Sequence, residues 1–246
     1  MMSRRAVAAA EALVAAAIVI GHNIFRVVPN EVLVLVLLGA VSCAVRRQSL
    51  KTIGYRRPAS WGRTAVLALG VALGLQAFSI FVVDPLAIRF TGQTADLSDF
   101  QPVVGNVKLA AIYLLVIWSF AAFGEEFAYR GYLLRRTIDA LGGSTRGSVA
   151  AVLLCGALFG VGHFYQGPVG TIDSTVSGLA FGTLYVRSAG DLWPSTLAHG
   201  LTDTLALVLI SSGAYAIEPR VGLGETESTE ETVLQEFVMR RAHPVA

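Results

Sequence analysis

Apolar stretches near the length needed to cross about 30 Å of hydrocarbon recur along this chain, at residues 6–25, 28–45, 64–83, 107–134, 148–164, 169–187 and 192–212. Backbone polar groups in lipid must be satisfied within the protein, so segments of this length read as helices. The expected fold is all-α: a polytopic transmembrane bundle of about seven to eight helices over residues 1–216, with the lipid bilayer as its first partner. Composition agrees, since 15% of the 246 residues are charged and 54% are hydrophobic, against about 25% charged in soluble domains. A formal charge of +2, with no basic patch interleaved with aromatics, gives no reason to expect a nucleic-acid partner.

Loop charges predict the orientation. Arg46, Arg47, Lys51, Arg56, Arg57 and Arg63 gather between the second and third stretches and place that loop in the cytoplasm, and Arg4 and Arg5 agree. Asp84, Asp96 and Asp99 against Arg89 suit the opposite face, and Arg135, Arg136 and Arg146 bring the chain back. The basic start followed by an apolar run resembles a signal peptide, but its length, Glu11 and the closely spaced second stretch favour a retained first helix. Cys43 and Cys155 sit in apolar runs and read as small core residues. Residues 217–246 change character to an acidic, polar tail in which Val233, Leu234, Phe237 and Val238 are spaced for one helical face.

Polar groups at membrane depth are costly, and the default reading of one is a functional site. Three such clusters stand out. In FGEEFAYRGYLLRR, helical spacing puts Glu126 and Arg130 at i and i+4 on one face and Glu125 near Tyr129 on the next. An ion pair that locks a helix explains Glu126 and Arg130 but leaves Glu125, between Phe123 and Phe127, as a candidate general base. His163 lies one turn after Phe159 at the end of the next stretch, where a hydrogen-bonded interfacial histidine is the plainer alternative. His199 and Asp203, at i and i+4 on a helix entered through Pro194, form a carboxylate–imidazole pair suited to proton transfer or metal ligation. Counted at 1.5 Å per residue from the nearest cytoplasmic charge, Glu125 and His199 lie about 16 and 18 Å deep and His163 about 26 Å, too deep to meet them unless its helix starts late or tilts.

The ordered set Glu-Glu-x-x-x-Arg at 125–130, Phe-x-x-x-His at 159–163 and His-x-x-x-Asp at 199–203 resembles the CPBP family, which comprises the type II CAAX prenyl endopeptidases and the Abi or bacteriocin-processing membrane proteins. The resemblance spans about 107–210, with a family-like lead-in GYRRPASWGR. It implies an intramembrane endopeptidase of about eight helices, set in a bacterial or archaeal cell membrane with its cavity open to the cytoplasm and acting on a peptide or membrane-protein substrate. It implies Glu125 as the base that activates water with His163 assisting, His199 and the residue at 203 polarising the scissile carbonyl, and Glu126 with Arg130 as the supporting pair. Position 203 is commonly asparagine in the prenyl endopeptidases; Asp203 offers no donor when ionised, so its part is to orient His199 or to stay neutral.

No cofactor is expected on this reading. The alternatives are a zinc peptidase using Glu125, His163 and His199 with Asp203, for which no His-Glu-x-x-His helix is present, and a non-catalytic membrane partner that binds peptides.

Overall fold

A computed structural model describes residues 3–215. The expected amphipathic tail at 217–246 lies outside the described residues. The fold is all-helical, as composition and hydropathy require. Its long elements are α1 Arg4–Asn23, α2 Glu31–Val45, α3 Trp61–Thr91, α4 Val107–Ala140, α5 Thr145–Val161, α6 Gly167–Arg187 and α7 Trp193–Ser211.

Local chemistry sets where these helices begin. Side chains of Ser3, Asn30, Ser60, Asn106 and Ser144 each accept a hydrogen bond from a backbone N–H in the first turn of α1 to α5, satisfying donors that lipid or apolar neighbours would leave bare. Pro168 and Pro194 occupy the first turns of α6 and α7, where a missing N–H costs nothing. The acidic loop expected from Asp84 begins later than the charge pattern implied. Asp84 and Pro85 continue α3 to Thr91, because a widened π turn at Ser79–Val83 absorbs the proline before the chain leaves the helix at Gly92.

The bundle is apolar on its outer faces and keeps its charged groups inside, set within an otherwise apolar core. Leu13, Leu37, Val66 and Leu115 are 71, 64, 73 and 71% exposed on the outer faces of four helices, whereas Glu125, Glu126, Arg130 and His199 are buried. That arrangement belongs to a protein solvated by lipid. By length and hydropathy α1, α3 and α4 can each cross a membrane, and α5 with the segment Phe164–Arg187, bent by 56° at the break between them, passes as one further span. The expected count of seven to eight spans is not reached on this measure. α2 has only 15 residues, and Asp173, His199 and Asp203 lower the hydropathy of α6 and α7.

Small residues bring the site-bearing helices together. α5 and α6 pack along each other, and a Cβ on Gly178 would lie 2.9 Å from Cβ of Phe159, so only glycine lets the two backbones approach this closely. α7 lies against α3, where Ala68 and Ala198 are fully buried in one cluster. The connection after Gly92 crosses the ends of α6 and α7: the Asp96 N–H donates to the Gln166 carbonyl and the Gly105 N–H to the Ser211 carbonyl, each at 2.9 Å.

Candidate active site

The middle of α4, Ile117–Leu134, is wound as a π-helix, with wider turns than the α-helix and a form frequent at functional sites. It carries both glutamates and Arg130. Arg130 donates to Glu126 Oε1 at 2.7 Å and to the Gly178 carbonyl at 3.3 Å. Its guanidinium lies 4.3 Å from the Phe159 ring centre and 5.3 Å from that of Phe181, so the desolvated cation meets π faces as well as a carboxylate. The same Oε1 faces His199 Nδ1 at 3.0 Å. His199 Nε2 stands 3.5 Å from Asp203 Oδ2, an ion-pair separation longer than a hydrogen bond. The imidazole is clamped by Phe181, stacked at 4.9 Å and 20°, and by the edge of Phe159 at 5.7 Å. Three buried contacts, from Glu126, Phe181 and Phe159, therefore fix the ring, with the partly exposed Asp203 beside its outer nitrogen.

His163 joins this group through the break between α5 and α6. α5 starts directly after Ser144, so the helix does not begin late; instead the chain turns at Gly162 and the His163 ring folds back. Its Nδ1 lies 2.9 Å from the Phe159 carbonyl. A carbonyl only accepts, so Nδ1 carries the proton, and in the neutral ring Nε2 is the nitrogen that presents a lone pair. The ring packs at 4.8 Å on Phe159, the residue that also touches His199 and Arg130.

His163, His199 and Asp203 line one cavity of about 180 Å³, walled by α3, α4, α6, α7 and the connection at Ala95–Phe100. Glu125, 4% exposed, does not line it. It lies behind the α4 wall within electrostatic reach of Tyr129, whose hydroxyl approaches the Gly162 corner: a Cβ there would be 2.6 Å from it. Sequence spacing thus anticipated the Glu126–Arg130 pair and the Glu125–Tyr129 neighbourhood, but gave no sign that Glu126 itself holds His199. Phe181 was also missed, because an aromatic in an apolar helix carries no signal until its partner is known. Among the described residues, no three His, Cys, Asp or Glu side chains converge to hold a metal ion, and both nitrogens of His199 already face carboxylates.

The cavity reaches the end of the bundle that bears the 92–106 connection. The basic groups sit at the other end, where Arg46 and Arg136 share Glu11 at 2.7 and 3.4 Å and Arg56 donates to the Ala189 carbonyl at 2.8 Å. The cavity and the basic groups thus lie at opposite ends of the bundle. Tyr215, just beyond α7, donates to Asp84 Oδ2 at 2.9 Å across that mouth. Burial, and then the Asp84 carboxylate, hold its phenol above the ordinary range, so it remains a donor near neutral pH.

Residues 107–205, which hold Glu125, Glu126, Arg130, His163, His199 and Asp203, match the model of the family described as type II CAAX prenyl endopeptidase Rce1-like. No curated protein and no solved structure matches the chain.

Proposed function

We propose, starting from an Rce1-like protease domain at 107–205 within an integral membrane protein, that this chain is an intramembrane endopeptidase using a glutamate-activated water and no metal. The observation that carries the reading is the convergence of His163, His199 and Asp203 on one membrane-embedded cavity, with His199 held from behind by the Glu126–Arg130 pair.

In this mechanism Glu125, set behind the cavity wall beside Tyr129, acts on a water that reaches the Gly162–His163 corner: it takes a proton from that water, and His163 Nε2 accepts the water's second hydrogen bond. Oxygen attacks the scissile carbonyl carbon as its π bond opens, and the developing oxyanion takes a hydrogen bond from His199 Nε2. Collapse expels the amine, which leaves with the proton delivered by Glu125. Arg130 and Glu126 are positioning residues: they set the angle of His199 and touch no reacting atom. Asp203 orients His199 from the cavity side and supplies a counter-charge rather than a donor. Setting such dipoles in a dry site before reaction is worth more than the same groups in water, which gives a buried constellation its value.

The substrate is a peptide or membrane-protein segment. A prenylated CAAX terminus is one member of that class, as the family's name states, and a bacterial or archaeal cell membrane is the proposed setting. The test is to compare membranes from cells making the wild-type chain with those making Glu125→Gln at matched levels. Peptide termini that appear only with wild type support the reading. Identical termini in both, with His199→Ala equally silent, overturn it in favour of a non-catalytic partner.

A further inference from the structure

The cavity has a chemical character that the hydrolytic groups do not use. Besides Asp203, its wall carries Asp84 from α3 and Asp173 from α6, and neither lysine nor arginine lines it. Asp84 is met by the Tyr215 hydroxyl and Asp173 by the Ser79 hydroxyl. Neutral donors of this kind leave a carboxylate's charge uncompensated, and among the described residues no lysine or arginine pairs with either group. Asp203 has His199 beside it, but Asp84 and Asp173 face the same low-dielectric space without a cationic partner, so a cation entering it is favoured.

The shape of the wall narrows what that cation is. The acidic groups do not converge as metal ligands do. Between them the wall is apolar, with Leu75, Val116, Ile117 and Leu207 facing the same space. A group with an aliphatic stem and a charged head matches this lining: the stem lies along the apolar wall and the head meets the carboxylates, as lysine and arginine side chains do. The mouth adds direction, since it lies at the end of the bundle away from the basic loops.

We propose that the cavity takes, from the membrane face opposite the basic loops, a peptide segment bearing a lysine or arginine side chain, with Asp84 and Asp173 as the residues that select it. Cleavage of that segment rests on the peptidase reading; its binding does not. The first test uses purified full-length Glu125→Gln protein and two fluorescent peptides that differ by lysine against norleucine at one position. The lysine peptide binds about tenfold tighter, Asp173→Asn and Asp84→Asn in that background bring the ratio toward one, and Asp173→Lys reverses it toward a glutamate peptide. A merely structural strut would weaken both peptides alike and leave their ratio unchanged. Equal binding of both peptides, or a preference that survives in every variant, overturns the proposal whether or not cleavage is ever seen. A lysine preference that is matched by vesicles rich in amine-headed lipid displacing the peptide would assign the site to lipid and also overturn it.

The second test concerns the side. In intact cells, a membrane-impermeant maleimide labels Thr94→Cys and not Ser49→Cys, since Thr94 is exposed beside the mouth and Ser49 is exposed among the basic loops. The reverse pattern overturns the assigned face.

Discussion

Replacing Arg130 by alanine removes the guanidinium that meets Glu126 in the buried site. The carboxylate is wholly buried, and Arg130 supplies it a 2.7 Å hydrogen bond while also donating to the Gly178 carbonyl and covering Phe159. Taking one partner from a buried pair costs about 3 to 5 kcal/mol, because the survivor's desolvation is no longer offset. His199 stays beside Glu126 and keeps the loss near about 4 kcal/mol, equivalent to a fall in Tm of about 10 °C for a chain of this size. The double variant Glu126→Gln, Arg130→Met removes both charges and restores volume, and is expected within about 2 kcal/mol of wild type. The assay is reversible unfolding of the purified protein in mixed micelles, monitored by helical circular dichroism, with Glu126→Gln and Arg130→Met as the single variants that close the cycle. A coupling of about 2 kcal/mol or more is expected. Additive losses, with the double variant less stable than either single one, would refute the claim that the two side chains form one energetic unit.

The same geometry fixes three further outcomes. Asp203→Asn keeps cleavage within about tenfold of wild type, because an amide both accepts from His199 and donates to an oxyanion, whereas Asp203→Ala falls by about a hundredfold or more; equal loss in both would show that the charge itself is required. Activity survives strong chelators without loss, and a reversible loss rescued by zinc would replace the glutamate mechanism with a metal one. Gly178→Val forces α6 away from Phe159, 2.9 Å from where its Cβ would sit, and is expected to cost about 3 kcal/mol and most activity, read by unfolding and by product formation; a variant as stable and active as wild type would show the α5–α6 approach to be slack.

What could be read from the chain and what could not differ in physical kind. Helix positions come from apolar length, a local sum that tertiary contacts barely alter, and the seven long helices fall where hydropathy puts them. The polar constellation was legible for the same reason, since charge at membrane depth demands an explanation. Which adjacent glutamate faces His199 was not. Spacing rules assume α-helical turns, and the π winding of Ile117–Leu134 changes the angle between neighbouring residues. The turn at Gly162 that folds His163 back, and the widened turn that carries Asp84 past Pro85 into the helix, are likewise set by packing between segments far apart in sequence. The direction of the cavity mouth needed both the loop charges, which the sequence displays, and the cavity lining, which it does not.

The division of that lining bears on how such a domain diversifies. The matched segment, 107–205, supplies every group assigned to bond breaking. Asp84 and Tyr215 lie outside it, as do Leu75 and the Ala95–Phe100 connection, yet all of them line the same cavity. Hydrolysis requires the interior constellation to stay fixed, because a shift of about 1 Å in a catalytic group can cost a hundredfold in rate. The outer wall faces no such demand and can change its charge or shape without moving His163 or His199, which are held by Phe159, Phe181 and Glu126 from within. Chains with the same inner motifs are therefore expected to share a reaction and to differ in substrate, with the difference concentrated in α3, the 92–106 connection and the turn after α7.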